Sequence, residues 1–230
     1  MFEKFRERSH KLERLDIGDY TSEEYRRWQR EMRLIHAVFG EAHALENSLV
    51  KDARAKGLSY VSVVDIGAGT GNILRLIKKR LSDRDVLAIA AETSDDALRI
   101  VETERRETGI LPVKCSGLEL PFDDHSVDYV ICTLVLHHLS NDDAVKLIGE
   151  MCRVARRRFY AIDLNRHPVG YYGWRAISSV LFQRFTREDG ALSILRSFTA
   201  DELLALAKKA GVSEAKVEHS PANRLVLSGR

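Results

Sequence analysis

The chain has 230 residues, 44% hydrophobic and 30% charged, with 36 Lys/Arg against 34 Asp/Glu. That size and balance predict one large apolar core and exclude a disordered or low-complexity chain. The longest uncharged apolar run, residues 130–136, is far short of the roughly 20 residues a membrane span needs, and a net charge of +2 does not by itself imply nucleic acid.

Residues 1–33 mix nine Lys/Arg with eight Asp/Glu, and the immediately charged start lacks the apolar region of a secretory signal. Thr21-Ser-Glu-Glu24 reads as a capping box. The helix it opens carries Tyr25, Trp28, Met32, Ile35 and Phe39 as one apolar stripe. From Tyr60 the pattern becomes short apolar runs alternating with amphipathic segments. Strands are expected at 60–66, 86–92, 112–115, 127–133, 158–163, 214–219 and 224–228, and helices at 72–81, 95–107, 141–156 and 200–210. The last helix opens on the capping box Thr199…Glu202 and stops at Gly211. Residues 164–198 show neither period and read as irregular.

Strands alternating with helices predict an α/β fold, a seven-stranded, mostly parallel sheet covered on both faces. The 220–223 connection is too short for a helical crossover, so the last strand is expected antiparallel. The expected organisation is a helical cap over 1–58 and a main domain over 59–230, with an insert at about 164–198. Cys115, Cys132 and Cys152 show no CxxC spacing, which favours a reduced cytoplasmic setting without a metal site.

The most informative segment is Val63-Val-Asp65-Ile-Gly67-Ala68-Gly69-Thr-Gly71. Glycines after a buried strand let the backbone turn tightly and approach a ligand. The spacing is GxGxG, and Asn72 stands where the dinucleotide fingerprint has its third glycine, which argues against NAD or FAD. No GKS/T of a P-loop follows.

On these residues the chain resembles the class I S-adenosylmethionine (SAM) dependent methyltransferases, a Rossmann-like family. The resemblance implies that Asp65, Gly67, Ala68, Gly69 and Gly71 form the cofactor loop. It implies that Glu92, 27 residues past Asp65, binds the ribose hydroxyls. The stretch Cys115-Ser116-Gly117-Leu118-Glu-Leu-Pro-Phe-Asp-Asp-His-Ser-Val-Asp128 resembles the family segment that reaches the adenine, with Ser116 where an acid is usual. Cys132-Thr133-Leu134-Val-Leu-His137-His138-Leu resembles the VLHHL segment of small-molecule members, placing Thr133 and Leu134 along the methionine part of the cofactor.

The family's substrate site is built from the N-terminal helices and the insert after the fifth strand. That implies Tyr25, Trp28, Arg166, Tyr171, Arg187 and Arg196 as substrate-binding residues. Residues 153–196 hold nine arginines against three acids, so the expected acceptor is a small planar or acidic metabolite, with O-methylation favoured over C or N. Arg153, Arg156, Arg157 and Arg158 read more simply as partners of a helix C-terminus. His138, then His137, are the candidate bases, with Asp163 orienting a base or binding substrate. Adjacent histidines do not share a helix face, so no metal is expected there. The tract Arg187-Glu-Asp-Gly…Arg196-Ser-Phe198 resembles the ubiquinone/menaquinone-type branch. Two other readings are a nucleic-acid methyltransferase, prompted by the arginines, and a SAM-binding protein without catalysis.

Overall fold

The computed structural model describes residues 3–38 and 40–230. After a short helix α1 (Arg14–Ile17), the Thr21 capping box opens α2 (Ser22–Val38) as expected. Within its stripe Ile35 is buried and Tyr25, Trp28 and Met32 are half-buried, while Phe39 lies outside the described residues. A second helical stretch runs through α3 (Glu41–Leu45), a π turn (Glu46–Val50) and α4 (Lys51–Ala55). This stretch packs on the sheet: Ala44, Leu45, Leu49, Val50 and Ala53 belong to the same apolar cluster as the central strands.

Period-two alternation builds the sheet. In β1 (Tyr60–Ile66), Val61 and Val63 join one cluster while Val64 and Ile66 join the other. β2 (Asp85–Glu92) and β4 (Val127–Thr133) divide in the same way, with Ala88, Ala90, Tyr129 and Ile131 on one face and Ile89, Ala91, Val130 and Cys132 on the other. Strands buried on both faces read as continuous apolar runs, which is why they are visible in the sequence. With β3 (Ile110–Lys114), β5 (Ala155–Leu164), β6 (Lys216–Ser220) and β7 (Arg224–Gly229), the order is β3-β2-β1-β4-β5-β7-β6. β7 runs antiparallel to both β5 and β6, and the other neighbouring pairs are parallel. Ala222 and Asn223 close the β6–β7 hairpin in the left-handed region, as tight hairpins require.

Helices α5 (Asn72–Arg80) and α6 (Asp95–Thr103) pack on the face that holds α3 and α4, with α7 (Arg105–Thr108) following α6. α8 (Asn141–Val154) and α11 (Ala200–Lys209) cover the other face. Two differences from the sequence pattern bear on the site and its charges. The expected helix 95–107 breaks at Glu104. α8 ends at Val154, so Arg156, Arg157 and Arg158 lie on β5 rather than at a helix end. Arg156 and Arg157 pair with buried Asp128, and Arg158 reaches Glu214 at 3.7 Å.

The largest departure is the tract expected to be irregular. It forms two helices, α9 (Pro168–Leu181) and α10 (Arg184–Arg196). α10 buries Thr186, Asp189, Ser193 and Arg196 alongside Phe185 and Ile194. A helix whose buried positions are mostly polar leaves no apolar stripe to find. No described helix is long and apolar enough to cross a membrane.

Candidate active site

The strand order reverses between β1 and β4, and a crevice opens beyond the carboxyl ends of the parallel strands, where ligands sit in such sheets. Gly67 and Gly69 both have positive φ. A Cβ on Gly67 would meet Val135 Cγ2 at 2.7 Å, while one on Gly69 would meet nothing within 4 Å. One glycine is required by packing, and the other leaves the loop open to a guest. Glu92 fastens this loop: the Gly69 N–H donates to its Oε2 (2.9 Å), and the Thr93 and Ser94 N–H groups donate to its Oε1.

Asp65 Oδ1 and Thr133 Oγ1 are buried without a hydrogen-bond partner among the described residues. A buried polar atom left unsatisfied costs about 1–3 kcal/mol, so both await a group from outside. Burial, and then the charge of Glu92, lifts the Asp65 carboxyl well above its ordinary range. Asp65, Gly67, Ala68, Gly69, Glu92, Thr133 and Leu134 all line one cavity of about 1650 Å³. Leu134 holds a positive φ there, a strained state for a side-chain-bearing residue. A polar, glycine-walled end with unsatisfied oxygens fits a nucleoside-like cofactor such as SAM.

Four expected cofactor residues are not on this wall. Gly71 caps α5. Ser116 accepts a hydrogen bond from the Leu118 N–H, and Leu118 packs on the core. Gly117 is required by packing, since a Cβ there would meet Ile66 at 2.6 Å.

At the far side of the loop, His137 and His138 lie on a single 3₁₀ turn (Leu136–His138) with ring centroids 4.1 Å apart. The helix-face argument against their cooperation therefore does not apply. His137 Nδ1 is 2.6 Å from Asp163 Oδ1, and its N–H donates to Asp163 Oδ2. Burial would raise the Asp163 carboxyl, but the charge of His137 and hydrogen bonds from His137 and Leu164 hold it below the usual range. His138 Nδ1 is 3.1 Å from Asp16 Oδ1. Against the raising effect of burial, His138 and Arg196 hold Asp16 well below the usual range. An ionised carboxylate only accepts, so each Nδ1 carries a hydrogen and each Nε2 keeps its lone pair in the neutral ring.

Glu13 completes the group. Its Oε1 is 3.9 Å from His137 Nε2 and accepts a hydrogen bond from Ser193. Burial pushes its carboxyl up to about 7, against the opposing pull of His138, Ser193 and Arg196. Asp189 on α10 sets this geometry by accepting from the Arg14 and Leu15 N–H groups at the start of α1. Glu13 and Asp16 were missed in the sequence. They lie in a uniformly charged tract, and only folding brings them to partners more than a hundred residues away.

Beyond the histidines the cavity turns aromatic. Tyr25 and Trp28 line it, as do Met32, Trp174 and Ile177. Tyr25 stacks on Trp28 at 5.6 Å and on Tyr20 at 5.1 Å. The other expected substrate residues are elsewhere. Arg166 is buried against the Phe5 and Ser197 carbonyls and Glu202. Tyr171 packs edge-on against Phe5 under Lys4. Arg187 reaches the Ser179 carbonyl. Arg196 grips the His137 and His138 carbonyls and pairs with Asp16. Arg156, Arg157, Arg158, Arg166 and Arg196 pair with acids from outside this tract, while Arg184 pairs with Glu188 within it.

Residues 63–158 match the family model of the methyltransferase domain. The chain is 27% identical to "Uncharacterized methyltransferase YcgJ" of Bacillus subtilis over 138 residues, 58% of this chain and 51% of the relative. It is also 27% identical to the "Ubiquinone/menaquinone biosynthesis C-methyltransferase UbiE" of Idiomarina loihiensis, over 42% of this chain and 39% of the relative. The chain thus spans about half the length of these curated relatives. A SAM dependent methyltransferase structure from Aquifex aeolicus superposes with a TM-score of 0.60 at 15% identity, covering 88% of this chain and 97% of that one, a likeness of fold. Loop, strand order and matched segment agree: the chain has the Rossmann-like methyltransferase fold, and its residues 63–158 match a methyltransferase domain.

Proposed function

We propose that the chain methylates a hydroxyl of a small, planar acceptor that is not itself acidic. The observation that carries this reading is the continuity of one cavity. It runs from the glycine loop past His137 and His138 to the aromatic shelf of Tyr25, Trp28 and Trp174. Its volume exceeds the roughly 300–1,000 Å³ of a single-ligand pocket and leaves room for an acceptor beside the cofactor. Among the described residues, the arginines on its wall are committed to carboxylates, Arg75 to Glu104 and Arg224 to Glu41. Glu13, Asp16 and Asp189 face the same space. That charge pattern disfavours a carboxylate or phosphate guest, and it removes the ground for a nucleic-acid substrate.

SAM supplies an electrophilic methyl group on its sulfonium. Asp65 and Thr133 offer the unsatisfied oxygens that would receive its donors, and Glu92 holds the loop in shape. The chain positions the two reactants, the main requirement of an in-line displacement. As the new O–CH3 bond forms and the S–CH3 bond breaks, the acceptor hydroxyl must lose its proton. His137 Nε2, backed by Asp163 at Nδ1, is the acceptor best placed to take it. Incubation with SAM labelled in the methyl group, against phenols, aromatic amines, aromatic carboxylates and RNA, tests the reading. Label in the phenols is expected. Label confined to RNA or to carboxylates would overturn it.

A further inference from the structure

We propose that Glu13, His137 and His138 form a binding site for a divalent transition-metal ion of the zinc class, open on one side to the acceptor cavity. One ligand atom from each of the three lies within 4.8 Å of the other two. Tetrahedral zinc donors, with bonds of about 2.0–2.2 Å, stand roughly 3.3 Å apart, so small side-chain rotations close the set. Two histidines and one glutamate are a donor combination suited to such ions, and all three residues line the cavity.

The surroundings carry the argument further than the cluster alone. Metal-bound histidines characteristically donate their second ring nitrogen to a carboxylate, which fixes the tautomer and aims the free lone pair. Here both do so, His137 to Asp163 and His138 to Asp16. His137 Nε2 is left facing Glu13, 3.9 Å from its Oε1. The turn that carries them is held rigidly, because Arg196 and Arg8 donate to the His137 carbonyl while Arg196 also takes the His138 carbonyl and Arg8 the Leu139 carbonyl. Asp16 and Asp163 offset these two guanidiniums, and Glu13 is a third carboxylate that would ionise as a dication binds. Ser193 fixes one oxygen of Glu13.

For its role the ion rests on the proposed methyl transfer; for its binding it does not. An ion held here occupies His137 Nε2, so proton acceptance by the ring gives way to Lewis acidity. An acceptor hydroxyl bound at the open position would lose its proton to solvent more readily.

The test is titration of Co(II) into the full chain after chelation, read by visible d–d absorption, with SAM binding measured separately by calorimetry. One equivalent of tetrahedral or five-coordinate Co(II), displaced by Zn(II), is expected. His138→Ala and Glu13→Gln should each weaken it at least about tenfold, and Asp16→Asn about 10–100-fold through its histidine, with SAM affinity unchanged as proof of folding. Absence of the absorption, or Co(II) binding that survives His138→Ala and Glu13→Gln, overturns the site. Co(II) binding without methylated product would leave the site standing and reject the methyl-transfer reading instead.

Discussion

The two halves of the cavity are built in opposite ways. The cofactor half comes from consecutive strand ends and one glycine loop, so its parts are neighbours in sequence or register. The proposed acceptor half is gathered from residues 13–35, the 136–138 turn, α9, α10 and the β6–β7 hairpin. The first is a local invention on a shared sheet, and the second is a tertiary one. Family-wide chemistry can be held by a few adjacent residues, while acceptor choice depends on contacts that only the complete fold creates.

The sharpest test of this division is Asp163→Asn. Turnover should fall roughly 10²–10⁴-fold, the usual range for losing acid–base assistance, with SAM affinity unchanged by calorimetry. A matching loss of SAM affinity would move Asp163 into the cofactor half. Gly67→Ala should act in the reverse sense. The positive φ and the 2.7 Å approach to Val135 predict about 2–4 kcal/mol lost from SAM binding or stability, seen in a titration and a thermal melt. Trp28→Ala should raise the acceptor KM roughly tenfold, consistent with about 1–2 kcal/mol from an aromatic contact, and leave the SAM constant alone. Arg187→Ala should change neither constant by more than about twofold. A large KM effect there would restore an arginine to the acceptor wall.

This contrast also explains what was legible. Asp65 to Gly71 announces itself because positive φ and close approach leave little but glycine, and strands buried on both faces show as apolar runs. Most of the strands follow from those runs, and the antiparallel last strand follows from the short 220–223 connection. The arginines misled because charge was counted along the chain: Arg156 and Arg157 meet Asp128, and Arg166 meets Glu202. α10 was invisible because its buried face is hydrogen-bonded rather than apolar. Thr186 donates to Glu31 and Ser193 to Glu13 across more than 150 positions. Ser116 to Leu118 followed the family segment, yet packing against Ile66 keeps it off the wall.

The capping of α1 by Asp189 has a kinetic side. Contacts between residues 8–16 and residues 137–196 span 122 to 188 positions, and loops of that length close late in folding. The sheet and its glycine loop need none of them. A chain caught before its first twenty residues dock would therefore take up SAM and yet have no floor beneath the acceptor. Competence for cofactor should precede competence for turnover in a refolding time course.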